Sequence, residues 1–388
     1  MDFVSQEKDF RKPQNYFKMP TKNQLCFHFF YFNFLFAGVL FTIFGGCSSG
    51  DELSPDPESG LFGVSCAGSE MDTTTYFVSP TGNDSASGLK VEEAFATIAQ
   101  ALSVVHPGGT IRILPGIYRE SIGVNSCGVG SNPITIEGFN GRPVLDGEQK
   151  KTMALLCENC DNYIFRNLEI RNYTDLGIAA SHSKNIVLKD LIVHGNGHKV
   201  QLRSYEFKGY GIHVENSENV EIADNEVYEN GPNPQIFPDY LMGTGINTFG
   251  NHNVIIRNNR CHQNTGGGIL VEDSFDVLVE ENEVFENDLD ASADGWWDGG
   301  VWVDGGGDVT LRNNFFHDNL GPGIEISDED SQDPKGYILE NNKSINNYFG
   351  IFIWNFGTND WPDPAIIKKS GNEFSGNSRM DIWIVDVF

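Results

Sequence analysis

An all-β solenoid of stacked coils is the fold that the sequence predicts, and three observations predict it. Short apolar runs begin at Asn185, Asn219, Asn253, Asp276, Asp308 and Gly336, 23 to 34 residues apart. Eleven residues into each run stands an asparagine, at Asn196, Asn230, Asn264, Asn287, Asn319 and Asn347. Five runs carry a second one six residues in, at Asn225, Asn259, Asn282, Asn314 and Asn342. Third, segments such as "NVEIADNEVYEN" and "DVTLRNNFFHDN" alternate apolar and polar residues as strands do, without the three-to-four spacing of a helix. One coil cannot bury a core alone, so coils stack at roughly 4.8 Å and share one. Asparagine tolerates left-handed and bridge backbone, so it is expected to turn the chain at a corner of each coil, its amides stacking as a ladder.

The first 46 residues do not fit this pattern. Lys18 and Lys22 lead into a Phe-rich apolar stretch from Phe27 to Phe44, then Gly45, Gly46 and Cys47. Small residues before a cysteine resemble the lipobox of bacterial lipoproteins, and "CSSGDE" resembles the acidic export signal of surface lipoproteins. The resemblance implies removal of residues 1–46, lipidation of Cys47, and a place at the outer membrane or cell surface, or else in the periplasm. An uncleaved membrane anchor is the other reading. Residues 47–72, rich in Ser, Gly, Pro and Asp, then form a flexible tether, and 73–388 one β-solenoid domain.

Without residues 1–46 the chain loses five basic and three acidic side chains, and its formal charge moves from −28 to −30. That field repels nucleic acid and anionic lipid headgroups, leaving the lipid anchor as the one expected membrane contact. A monomer is expected. Cys157 and Cys160 are read as a local disulfide or two packed thiols, since no second pair completes a metal site.

The segment from Thr74 to Gly147 contains "TTYFVSPTGNDSASGLKVEEAFATIAQALSVV" and "NPITIEGFNGRPVLDG". This opening resembles that of right-handed parallel β-helix carbohydrate enzymes, including polysaccharide lyase family 9. The resemblance implies a right-handed parallel β-helix. An amphipathic helix near Ala94 to Val105 is expected to cap the first coil, whose exposed edge would otherwise stay unpaired.

Each coil also holds a strand of pattern Gly-apolar-x-apolar: "GIHVEN", "GINTFG", "GILVED", "GVWVDG", "GIEISD" and "GIFIWN". If the Ile and Val residues face the core, alternation sends the third and fifth residues outward. That outward column comprises His213 and Glu215, Asn247 and Phe249, Leu270 and Glu272, Trp302 and Asp304, Glu325 and Ser327, Phe352 and Trp354. Three longer loops fall just before these strands and carry Tyr205, Phe207, Tyr210, Phe237, Tyr240, Trp296 and Trp297. Carboxylates and aromatics along an open acidic groove suit a polysaccharide or oligosaccharide, whose C–H faces stack and whose hydroxyls bond to Asp, Glu and Asn. The substrate-binding set is therefore His213, Glu215, Asn247, Trp302, Trp354, Trp296, Trp297, Tyr205 and Tyr240.

Glycoside hydrolysis needs two carboxylates across one linkage and no cofactor. Asp304 and Glu325 stand on neighbouring coils of the outward face. Pairing the strands by their glycines offsets them by two residues as well as one coil, roughly 8 Å between backbone positions, whereas direct opposition brings them to roughly 5 Å. The two strands resemble those of the β-xylosidases of glycoside hydrolase family 120, which implies Asp304 as nucleophile and Glu325 as acid/base. Glu272, one coil before Asp304, is the alternative partner. A second reading is a family 9 type lyase or an epimerase with calcium, held by Asp290, Asp294 and Asp298 near Asp288 through their oxygens. Against it, the outward column has no lysine or arginine. A third is a glycan-binding surface protein without catalysis. No zinc-type histidine spacing, phosphate-binding loop or Gly-x-Ser-x-Gly elbow is present.

Overall fold

The computed structural model describes residues 63–64, 71–124, 132–198, 209–233, 243–289, 298–327, 336–355 and 371–386. They form three parallel sheets, one of eleven strands and two of ten, wound as a right-handed β-helix. One coil runs through Ile212–Glu215 in the first sheet, Glu218–Ala223 in the second and Glu226–Tyr228 in the third. The next begins at Ile246–Phe249, and each strand pairs in parallel with its counterpart one coil on.

Inward side chains align in columns. Ile178, Ile212, Ile246, Ile269, Val301, Ile324 and Ile351 stand in successive register in the first sheet, and none is exposed. Each such side chain withdrawn from water contributes about 1.5–3 kcal/mol before entropy is counted. The second and third sheets alternate buried and part-exposed residues, as in Glu218–Ala223 and Glu226–Tyr228. The first sheet does not. Ile212–Glu215, Val301–Asp304 and Ile324–Ser327 are buried at every position, so both faces of that sheet are covered.

The asparagines form two buried ladders. In one, the Nδ2 of Asn196, Asn230, Asn264, Asn287 and Asn319 each donates to the Oδ1 of the next asparagine, at 3.0, 3.1, 2.9, 3.1 and 2.9 Å, ending on Asn347. The other links Asn225, Asn259, Asn282, Asn314 and Asn342 in the same way. The expected turning role is shifted by one position. Residues immediately before the first ladder, Glu229, Gln263, Glu286, Asp318 and Asn346, take φ between 52° and 60°, and the ladder asparagines do not. Left-handed backbone outside glycine costs about 1–3 kcal/mol, and the ladder bonds hold it in place. The run starts Asn185, Asn219, Asn253, Asp276 and Asp308 are left-handed too, with φ from 53° to 58°.

The capping helix is shorter than expected, Ile98–Leu102. Phe95 bridges Val78 as extended chain, and the Asp84 carboxylate accepts from the Ala96 and Thr97 N–H groups, so Ala94 to Thr97 cannot wind. Thr97 caps the helix through its side chain, Glu120 accepts from the Ile98 N–H, and Ile98, Ala101 and Leu102 join the main core. Cys157, in Met153–Glu158, and Cys160, in the turn before Asp161–Arg166, form a disulfide. Cys261 is a buried free thiol whose pKa burial pushes up.

Candidate functional site

The outer face of the first sheet presents two rows. In one, His213, Asn247, Leu270, Trp302, Glu325 and Phe352 stand side by side. In the other are Ser181, Glu215, Phe249, Glu272, Asp304 and Ser327. Strand alternation places them there, because Ile212 and Val214 and their counterparts turn into the core. The expected open groove is instead a covered face. His213, Glu215, Asn247, Asp304 and Glu325 are only 1–6% exposed, while Phe249 and Glu272 are part-exposed.

Toward the N-terminal end the polar centre is His213. Asn247 Nδ2 lies 2.9 Å from its Nδ1, and Glu215 Oε2 lies 3.3 Å from its Nε2. With the amide donating to Nδ1, the neutral ring carries its proton on Nε2 and gives it to Glu215. The Tyr210 ring stacks on His213 at 5.0 Å and 15°. Burial holds the Tyr210 phenol well above its ordinary pKa, and the nearby charges of Glu272, Asp298, Glu215 and Asp175 raise it further. Asp298 packs its Oδ2 against Gly266, where any side chain would meet it at 2.5 Å.

Toward the C-terminal end, Trp302 Nε1 donates to Ser327 Oγ at 2.7 Å, and Ser327 Oγ donates to Asp304 Oδ1 at 3.0 Å. The donated hydroxyl fixes the direction of the Asp304 carboxyl group. Of the two registers considered for Asp304 and Glu325, the strands adopt the glycine-paired one. Trp302 opposes Glu325 and Asp304 opposes Ser327, so direct opposition of the two carboxylates is ruled out. Glu272 is the residue directly opposite Asp304. The Trp302 ring is buried with Leu270, Phe349 and Phe352, and Tyr348 and Trp383 pack on that cluster. Its indole serves Ser327 and the packing, whereas it was expected to form an open sugar platform.

The structure therefore brings together His213, Glu215, Asn247, Glu272, Trp302, Asp304 and Glu325 on one face, with Asp298 near its edge. Tyr205, Tyr240, Trp296, Trp297, Asp290, Asp294 and Cys47 lie outside the described residues, as does the side chain of Trp354. Among the described residues, no group of three or more His, Cys, Asp or Glu side chains is arranged to hold a metal ion. No described helix is long and apolar enough to cross a membrane. Sequence reasoning assigned no role to Ser327, Phe349 or Trp383. The first follows from the glycine register; Phe349 stands just before the glycine of "GIFIWN", and Trp383 lies in Met380–Asp386, a strand without that glycine pattern.

The model of the family described as "Right handed beta helix region" matches residues 130–295 and 208–378. The chain belongs to this right-handed β-helix family. Among solved β-helix structures it is similar to that of pectate lyase Pel9A, with a TM-score of 0.54, 17% identity and 78% of each chain covered. It is similar also to an alginate lyase from Paenibacillus sp. str. FPU-7, with a TM-score of 0.52 and 16% identity over 72% of this chain and 94% of that one. At such identity these likenesses are of fold. A curated relative, the uncharacterized protein YwoF of Bacillus subtilis (strain 168), is 29% identical over 133 residues. That match spans 31% of this chain and 28% of YwoF.

Proposed function

We propose that this covered face is the active site of a carbohydrate-active β-helix enzyme, a glycoside hydrolase in which Asp304 and Glu272 act across one sugar linkage. The observation that carries the reading is their direct register on neighbouring coils. Strands at roughly 4.8 Å hold the two carboxyl groups near the roughly 5–5.5 Å used in double displacement. Asp304, aimed by Ser327, is the nucleophile. Its oxygen bonds to the anomeric carbon while Glu272 gives its proton to the glycosidic oxygen, and the bond to the leaving sugar breaks. Water then attacks the same carbon, Glu272 takes its proton, and Asp304 leaves as a carboxylate. Part-exposed Glu272 is the carboxyl that water can reach. No cofactor is needed.

The diagonal position of Glu325 favours a second hydrolytic reading, in which Asp304 and Glu325 invert the anomeric centre. Two residues and one coil separate them by roughly 8 Å, within the roughly 6.5–9.5 Å of inverting pairs. The packed Tyr210, His213 and Asn247, groups able to move a proton, favour a lyase or epimerase with calcium, but Glu215, Glu272, Asp304 and Glu325 on the same face repel a polyuronate. Proton NMR of the first-formed product separates these readings. A retained anomer supports the Asp304 and Glu272 pair; an inverted one moves the role to Glu325; an unsaturated uronate from a chelator-sensitive reaction moves it to the lyase.

A further inference from the structure

The way into the covered face is narrow. In the row that holds the reacting carboxylates, Ser181, Glu215, Asp304 and Ser327 are 0–6% exposed, and only Phe249 and Glu272 between them are part-exposed. Two coils span roughly 10 Å, room for one sugar ring and its linkage but not for a chain lying along the helix axis. Phe249, in register between Glu215 and Glu272, offers an aromatic surface at that opening.

Beside the opening the surface is hollow. The chain turns from the first sheet to the second through left-handed Asn216, after Glu215, and Gly250, after Phe249. A depression of about 720 Å³ lies over these turns, lined by Lys184, Asn219, His252 and Asn253 among others. Its groups are of sugar-binding type. Asn253 and Asn219 belong to an exposed amide ladder, at 2.7 Å to each other, Lys184 pairs with Glu218 at 2.8 Å, and the His252 ring stacks on Phe275 at 5.2 Å.

We infer that the site takes the end of a glycan chain through the opening over Phe249 and Glu272, and that the rest of the chain lies in the corner hollow beside it. This inference rests on the hydrolase reading and adds to it the mode of attack, from a chain end, and a second set of subsites outside the first sheet. The burial on both sides of the opening excludes a chain threaded along the helix axis, and the hollow gives the outgoing part a polar surface.

The test uses the full chain with linear, reducing-end-tagged hexasaccharides of neutral α- and β-linked sugars and the matching disaccharides. Chain-end attack releases one small product from the first time points, and the tagged remainder shortens by constant steps. His252→Ala, at an exposed position, raises KM for the hexasaccharide about five-fold with kcat kept, and leaves the disaccharide KM unchanged, a loss of about 1 kcal/mol. Internal fragments of all sizes at early times overturn the chain-end mode and leave the hydrolase standing. Equal effects of His252→Ala on both lengths overturn the role of the hollow. No cleavage of any glycan overturns the hydrolase reading and this inference with it.

Discussion

Asn264→Ala, in the middle of the first ladder, is expected to cost about 3–5 kcal/mol. The side chain is wholly buried and makes four hydrogen bonds. Its Nδ2 donates to Val227 O at 3.2 Å and to Asn287 Oδ1 at 2.9 Å, and its Oδ1 accepts from the Asn230 N–H and Nδ2, both at 3.1 Å. After truncation, Asn230 Nδ2 still reaches Val193 O and Asn287 Oδ1 still receives the Asn264 N–H. The Asn230 N–H loses its ladder acceptor in a buried place, which costs about 1–3 kcal/mol, and the other bonds add about 0.5–1 each. Asn219→Ala in the exposed ladder is the control. It loses contacts to Asn185 and Asn253 that water replaces, and it keeps a left-handed backbone at φ 58°, for about 1–2 kcal/mol in all. Native-state hydrogen exchange resolves the opening energy coil by coil, as a repeat fold requires. The predicted result is lost protection centred on the coils of Asn230 and Asn264, about 3–5 kcal/mol against about 1–2 in Asn219→Ala. Equal losses in the two variants, or less than about 1 kcal/mol for Asn264→Ala, would refute the reasoning.

Three further outcomes are expected. Ser327→Ala lowers kcat about 10- to 100-fold with little change in KM, and Ser327→Thr recovers most of it, because the hydroxyl donated to Asp304 serves the reacting carboxylate. Glu137→Gln costs about 1–2 kcal/mol at neutral pH: burial alone would raise the Glu137 pKa, but hydrogen bonds and charges from part-exposed Arg112 and exposed Arg166 bring it below its ordinary value. That stability is complete above the ordinary carboxylate range and is lost as pH falls through the lowered value, so urea midpoints of the two proteins should converge in acid. Cys47→Ala should abolish incorporation of labelled palmitate and release the chain from membranes; unchanged labelling would contradict the anchor.

The coils were legible because one residue type recurs at one position. Asn230, Asn264 and Asn287 are needed wherever a buried corner leaves backbone groups of two coils to satisfy, so their spacing reports the corner directly. Which residue turns left-handed was not legible. The ladder fixes that position from outside, so Glu229 and Gln263 serve although neither has an intrinsic preference for it. The Ile and Val positions announced the outward rows, and the aligned glycines contained the register that puts Ser327 opposite Asp304. Burial of those rows was beyond the pattern, since alternation says which way a side chain points and not what lies over it. The helix was overextended for a related reason: its apolar spacing runs back to Ala94, but Asp84, from a distant turn, claims the Ala96 and Thr97 N–H groups.

The most direct test of the central claim is reducing-sugar release from a panel of neutral and uronic glycans by the wild-type chain, Asp304→Asn and Glu272→Gln, with the product anomer read by NMR. The account predicts release from a neutral glycan with retained configuration and unaffected by chelator. Both variants should lose at least about 10²-fold in kcat. Full activity in Glu272→Gln, or a product formed only from uronates and only with calcium, would contradict it.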